Sequence, residues 1–258
     1  MTPERHAMSS DHLLQARGIV KRFGETTVLH GIDLDIADGE FVSVMGPSGC
    51  GKSTLLYAIS GMDAPTEGSV MFDGVELTAR SPKELAHLRL TRMGFVFQQI
   101  HLLKNLTLLD NIVLPGHLAG LASRDELTAR ARDLMERTGI ATIADHDISQ
   151  ASGGQLQRVG ICRALINDPR IVFGDEPTGA LDSTAAREIM DILAELNASG
   201  TTVMIVTHDP GVAARTDRLV YLRDGLVHDE FDLTGVQGSP VDREIAVQQW
   251  LQGQRAAA

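Results

Sequence analysis

Residues 46 to 54 read Gly46-Pro47-Ser48-Gly49-Cys50-Gly51-Lys52-Ser53-Thr54. An apolar run, Phe41-Val42-Ser43-Val44-Met45, precedes them, and Leu55-Leu56-Tyr57-Ala58-Ile59 follows. The first run reads as a buried strand and the second as the start of a helix. Strand, glycine loop, Lys-Ser and helix together form the context that a phosphate-binding P-loop requires. Glycine lets the backbone bend around an anion with no side chain in the way. The loop's N–H groups then turn inward, and the helix N-terminus adds its partial positive charge. Lys52 would bring a formal charge to the β- and γ-phosphates, and Ser53 a hydroxyl to a bound Mg²⁺. A glycine-rich turn that merely happens to precede a helix would not explain the agreement of pattern and context.

Outward from this loop the chain alternates between two characters. Before it, Leu13 to Val20 and Val28 to Ile36 carry β-type patterns. Ile32, Leu34 and Ile36 alternate with Asp33, Asp35 and Ala37, which predicts a half-exposed antiparallel strand. Ser69 to Phe72 reads as another strand, bounded by Pro65 to Gly68 and by Asp73-Gly74. Ser81 and Pro82 predict a helix over 82–92, with the serine as N-cap. Gly94 to Phe97 is a short buried strand ending at Gln98. Strand signals then vanish: from about Ile100 to Gln150 the periodicity is helical, clearest over Asp125 to Thr138. This predicts an inserted helical lobe, with Leu102, Leu103, Leu106, Leu108 and Leu109 most simply in its core; the alternative is that some of them line a groove for a partner's helix. Strands return at Ile171 to Phe173 and Thr202 to Val206, with helices before and between them, so a parallel α/β sheet is expected. Arg218 to Leu222 and Leu226 to His228 close with a hairpin. The expected division is a disordered start at 1–12, a nucleotide-binding unit over 13–235 with the helical lobe at about 99–160 inserted in it, and a tail at 236–258 whose Trp250 anchors it by packing.

Composition narrows the partners. The formal charge is −11 and aromatics make up 4% of the 258 residues. A binder of nucleic acid would show basic runs or stacking platforms, and the chain has neither. Residues 1–12 lack the apolar core of a signal peptide, and no run reaches the length of a membrane span. The two cysteines, Cys50 and Cys162, read as free thiols in a reducing compartment. The expected location is cytosolic, with any membrane role arising through a partner.

Two further stretches carry chemistry. Ile171-Val172-Phe173-Gly174-Asp175-Glu176 sets two acids at the end of a short apolar strand. Next to a P-loop, such an Asp holds Mg²⁺ and such a Glu polarises the attacking water. Ser152-Gly153-Gly154-Gln155 opens a helix running through Ile166. Alone it is an N-cap with a flexible entry. It is also a second anion cradle, and one nucleotide needs only one P-loop.

Taken in order, these motifs resemble the ATP-binding subunits of ABC transporters, over about Leu13 to Asp229. Phe23 sits where the family stacks an aromatic on adenine, and residues 46–54 are its Walker A loop. Gln98 resembles the Q-loop glutamine, and Ala151-Ser152-Gly153-Gly154-Gln155 the family signature. Asp175 and Glu176 match the Walker B acid and the catalytic glutamate. Asp182, in Ala180-Leu181-Asp182, matches the D-loop, and His208 the switch histidine.

The resemblance implies an α/β P-loop NTPase (RecA-like) core, an antiparallel β subdomain and an inserted α-helical subdomain. It implies ATP and Mg²⁺ as cofactors, with Ser53, Gln98 and Asp175 around the metal. It implies Glu176, His208 and Gln98 in catalysis, and a head-to-tail pair in which Ser152, Gly153 and Gly154 of one copy close over the other's ATP. Integral membrane permease subunits would be the further partners, at the cytoplasmic face of the cell membrane. Within the family, Ser60 to Gly68 and Asn111 to Pro115 resemble the branch serving lipoprotein release, macrolide efflux and haem export. Ala151 departs from the usual Leu at the first signature position. Non-transport members, acting on ribosomes or DNA or signalling to cell-wall hydrolases, share the same chemistry and differ in partner.

Overall fold

The computed structural model describes residues 12–256. Its organising strand is β3 (Phe41–Met45), buried at every position. Parallel strands covered on both faces read as continuous apolar runs, and β3 and β8 (Thr202–Val206) both do. The other strands are β1 (His12–Phe23), β2 (Thr26–Ala37), β4 (Glu67–Phe72), β5 (Val75–Glu76), β6 (Met93–Phe97), β7 (Ile171–Asp175), β9 (Arg218–Arg223) and β10 (Leu226–Asp232). They form two sheets. One has six strands in the order β10-β9-β3-β8-β7-β6, parallel except for β10. The other is antiparallel, in the order β2-β1-β4-β5.

The helices are α1 (Lys52–Ile59), α2 (Pro82–Arg92), α3 (Leu108–Ala119), α4 (Arg124–Arg137), α5 (Gly153–Leu165), α6 (Ser183–Ala198), α7 (Pro210–Ala213) and α8 (Pro240–Ala256). α1 lies between the two sheets. Its Leu55, Leu56, Ala58 and Ile59 join one apolar core with Leu14, Ile19 and Phe72 of the antiparallel sheet and Val44, Phe173 and Val206 of the parallel one. α2 begins at Pro82 behind the Ser81 cap. The Ser81 hydroxyl accepts from Glu84 N, and the Glu84 carboxylate accepts from Ser81 N at 2.9 Å, a reciprocal capping box.

α3, α4 and part of α5 enclose a second core around Leu108, Ile112, Leu127, Met135, Ile143 and Ile166. α5 bridges the two regions. Val159, Cys162 and Ile166 face the helical core, while Ile161 packs with Val172, Ile189 and Val203 under the sheet. The segment before α3 is irregular rather than helical. It is held by Asn111, whose side chain accepts from Leu103 N at 2.7 Å and donates to the carbonyls of Leu103 and Thr107. Of the leucines expected in this core, Leu108 is fully buried and Leu102 and Leu109 pack against it, but Leu103 is 47% exposed. With its backbone tied to Asn111, its side chain is left pointing outward.

The strand β1 already includes His12, and the expectation for residues 1–11 lies outside the described residues. α8 packs onto the parallel sheet: Val247 and Leu251 are buried with Leu219, Tyr221 and Leu233. Trp250 stacks on Phe231 at 5.3 Å between ring centroids and meets Tyr221 edge-on at 6.0 Å. No helix among the described residues is long and apolar enough to cross a membrane.

Candidate nucleotide site

The P-loop runs from the end of β3 into α1, and packing explains its glycines. A Cβ on Gly46 would lie 2.0 Å from the carbonyl oxygen of Leu222, and one on Gly51 2.8 Å from Leu29. Gly51 is the N-cap of α1 at φ 101°, so no side chain caps that helix. Its first amides are therefore free to bind an anion. Lys52 Nζ donates to the carbonyls of Gly46 and Pro47, each at 2.9 Å, which carries the ammonium across the loop. Cys50 is buried in the loop, and burial raises its thiol pKa. Ser48 and Gly49 are exposed at the tip, and Thr54 completes the first turn of α1.

The parallel sheet brings the acids to this loop. Ser53 Oγ donates to Asp175 Oδ1 at 2.8 Å, so the end of β7 meets the start of α1. Glu176 follows with φ 50°, a strained conformation for a non-glycine residue. Its amide donates to Val206 O at 3.0 Å on the neighbouring strand. Past the end of β8, His208 Nδ1 lies 2.9 Å from both carboxylate oxygens of Glu176. Gln98, past the end of β6, donates its backbone N–H to Asp175 O at 2.9 Å. Its side-chain amide lies against Gly179, where a Cβ would approach it to 2.9 Å. Lys52, Ser53, Gln98, Asp175, Glu176 and His208 thus converge at the carboxyl ends of adjacent parallel strands, where open α/β sheets bind their ligands.

Two residues that the motifs did not flag complete this arrangement. Tyr57 lies one turn after Ser53 on α1, and its hydroxyl donates to Asp175 Oδ2 at 2.6 Å. Burial, together with the Asp175 carboxylate, pushes the Tyr57 phenol up to about 12. The signal available in the sequence was the i, i+4 spacing from Ser53, which places both on one helix face. Gln157, 2% exposed, donates to Phe97 O at 3.2 Å and Pro177 O at 2.7 Å. It ties the backbone before Gln98 to the backbone after Glu176.

Other expected site residues lie apart from this cluster. Phe23 ends β1 and is 52% exposed. Ser152 caps α5: its hydroxyl accepts from Gln155 N at 3.3 Å, and Gln155 Oε1 accepts from Ser152 N at 2.8 Å. The cradle of Ser152, Gly153 and Gly154 adjoins the start of α6. A Cβ on Gly153 would lie 3.9 Å from Leu181, and one on Gly154 3.3 Å from Ala185. Among the described residues no hydrogen bond or ion pair joins Ser152 or Gln155 to the chain's own P-loop. Asp182 caps α6, with Oδ1 accepting from Thr184 N at 2.9 Å and Ala185 N at 3.0 Å. Those two amides hold its carboxyl below the usual range.

The donor set suits a hard divalent cation. Mg²⁺ takes one or two protein oxygens and completes its shell with water and phosphate. Ser53 Oγ and the Asp175 carboxylate already adjoin each other at such a place. No cluster of three or more His, Cys, Asp or Glu occurs among the described residues, and this mode of binding does not need one.

Residues 29–179 match the family model for the ABC transporter, and the chain belongs to that family. It has the fold of the ABC ATPase cassettes: the dimeric ATP-binding cassette MJ0796, solved bound to ADP and Pi, is 42% identical with a TM-score of 0.80. That likeness covers 86% of this chain and 99% of the cassette. The macrolide export ATP-binding/permease protein MacB 1/2 of Paracoccus denitrificans is 49% identical over 83% of this chain, which spans 33% of that protein's length. The ABC transporter ATP-binding protein YknY of Bacillus subtilis is 48% identical, over 77% of this chain and 86% of YknY.

Proposed function

We propose that this chain is the ATP-hydrolysing subunit of an ABC transporter, working as a head-to-tail pair of copies that drives integral membrane permease subunits. The observation that carries the reading is the pairing of Glu176 with His208 beside the Ser53–Asp175 contact. A carboxylate held at the end of a parallel strand, next to a P-loop, is placed to accept a proton from an attacking water. His208 Nδ1 orients that carboxylate, leaving the other ring nitrogen for the γ-phosphate. Lys52 and the amides of residues 46–54 neutralise the phosphates, Phe23 receives the adenine, and Gln98 reports on the metal and the water. Ser53 and Gln98, with Asp175 in or near the shell, would hold Mg²⁺, which would supply positive charge to the phosphate oxygens.

The exposed Ser152–Gly154 cradle supports a second copy as partner. One chain carries one P-loop and one cradle, and the two lie on separate parts of the molecule. Pairing head to tail sets each cradle over the other copy's nucleotide, with the D-loop around Asp182 at the same seam. ATP is then part of what holds the pair together, and its hydrolysis releases it. MJ0796 is itself a dimeric cassette, which supports pairing of two copies. Likeness to macrolide export proteins favours efflux, or extraction of a substrate from the membrane, with the chain at the cytoplasmic face. The helical lobe around α3 and α4 would pass the motion of closure to the permease.

Substituting Glu176→Gln tests the reading. Hydrolysis is expected to fall by about 100-fold or more, while an ATP-dependent dimer accumulates in size-exclusion chromatography with light scattering. Turnover at the original rate would remove Glu176 from its role.

A further inference from the structure

Lys21 is a buried lysine, 8% exposed, on a strand that is otherwise half solvated. A desolvated ammonium needs partners for its three donors. Asp63 Oδ1 takes one at 2.5 Å and the carbonyl of Ala64 a second at 2.6 Å. On its remaining side the ammonium lies over the ring of Phe23, 5.1 Å from the centroid, within the range of a cation–π contact. The neighbouring backbone is clipped in the same direction. Thr66 N donates to Val20 O at 2.7 Å, and Arg22 N donates to Thr66 Oγ1 at 2.9 Å. The end of β1 is thus fastened to the loop that follows the P-loop helix.

Phe23 is the odd member of this cluster. Its anchor is buried, yet its ring is 52% exposed. It pairs across the hairpin with Thr26, and Thr26 lines a cavity of about 340 Å³ together with Pro47, Ser48 and Gly49 of the P-loop. A large aromatic fixed from beneath and open above, on the hairpin whose Thr26 borders the P-loop cavity, has the form of a stacking platform.

We infer that Lys21 is a positioning and specificity-determining residue for the nucleotide base. This rests on the reading of Phe23 as the adenine platform and deepens it. Lys21 acts on the base through the ring in two ways. It holds the ring in one orientation before the ligand arrives, so less freedom is lost on binding. Its charge also draws π density toward the buried face, leaving the open face less negative and the stacking of a purine less repulsive. The phosphates gain nothing from it directly.

The test compares a ligand with a base to one without. Calorimetric titration of the purified protein with Mg-ATP and with Mg-tripolyphosphate separates the two contributions. For Lys21→Met, ATP affinity is expected to fall about fivefold while tripolyphosphate affinity stays within about twofold. Lys21→Arg, which keeps a cation under the ring, should restore most of the loss. Equal weakening of both ligands would show a structural clip and overturn the inference, as would unchanged ATP affinity. Phe23→Ala separates the two layers of the argument. If it leaves the ratio of the two affinities unaltered, the stacking reading itself fails. If it lowers ATP affinity alone while Lys21→Met does not, only the role of Lys21 falls.

Discussion

The Tyr57 hydroxyl donates a 2.6 Å hydrogen bond to Oδ2 of Asp175, while Ser53, one turn earlier on the same helix, engages Oδ1 at 2.8 Å. Both oxygens of the acid are therefore oriented from the P-loop helix. Replacing Tyr57→Phe keeps the ring packing and removes one donor. Stability should fall by about 1 kcal/mol in urea unfolding. The Mg²⁺ concentration for half-maximal hydrolysis should rise by up to about tenfold, as when a partner that orients a metal ligand is lost. An unchanged Mg²⁺ requirement would confine Tyr57 to a structural part.

Gln157 bridges two carbonyls, those of Phe97 and Pro177, that flank the two motif residues Gln98 and Glu176. Gln157→Leu has a similar volume but removes the side-chain donor from both carbonyls, in a bond that is buried at Pro177. Chemical denaturation should show a loss of about 2 kcal/mol. Hydrolysis should fall more than ATP binding does, because the two segments lose their common tether. Steady-state kinetics with separate measurement of nucleotide affinity distinguishes these.

At Gly46 a methyl group would sit 2.0 Å from the backbone oxygen of Leu222, which a parallel strand holds in place. Gly46→Ala must push β3 and β9 apart or distort the loop. Destabilisation of about 3 kcal/mol is expected from overpacking, with loss of detectable ATP binding. Thermal melts with and without Mg-ATP report both effects, and a normal ligand-induced rise in Tm would refute the expectation.

The exposed cradle makes a prediction of its own. Ser152→Phe fills the N-terminus of α5 and removes its cap, costing about 1 kcal/mol. In a Glu176→Gln background, the ATP-dependent dimer should no longer form, while a fluorescent ATP analogue still binds the single copy. A dimer of unaltered yield would reject the cross-copy assignment of the cradle.

The thiols should be quiet. Burial pushes Cys162 up to about 11, with Thr138 Oγ1 3.2 Å from its sulfur. Burial raises Cys50 as well. Only the thiolate reacts, so at pH 8 the reactive fraction of Cys162 is about one in a thousand. Its labelling should quicken with rising pH toward about 11. Reaction with a disulfide reagent at pH 8 should be slow for the folded protein and complete within minutes in denaturant. Rapid labelling of the native chain would show that the P-loop or the helical lobe opens readily.

Several elements were legible because their signals are local. The P-loop announces its strand and helix through residue types that sit next to one another. Ser81, Pro82 and Glu84 define the start of α2 through bonds that span three residues. The acids of Asp175 and Glu176 close an apolar run of strand length. Leu103 shows where such reading weakens: a helical period suggested a core position, but the backbone there is bound to Asn111 and the side chain faces out.

From the sequence alone came the strand, loop and helix order, the candidate phosphate loop and the family resemblance, since each depends on neighbours along the chain. The tertiary structure decided which groups meet. Sheet order puts the ends of β6, β7 and β8 side by side, and so joins Gln98, Glu176 and His208 across more than a hundred residues. Helix rotation decides that Tyr57 and not a neighbour reaches Asp175, and the loop after α1 decides that Asp63 and Ala64 hold the Lys21 ammonium. These contacts follow from packing between distant segments, where the free energy of burying a whole face sets the position of each side chain on it.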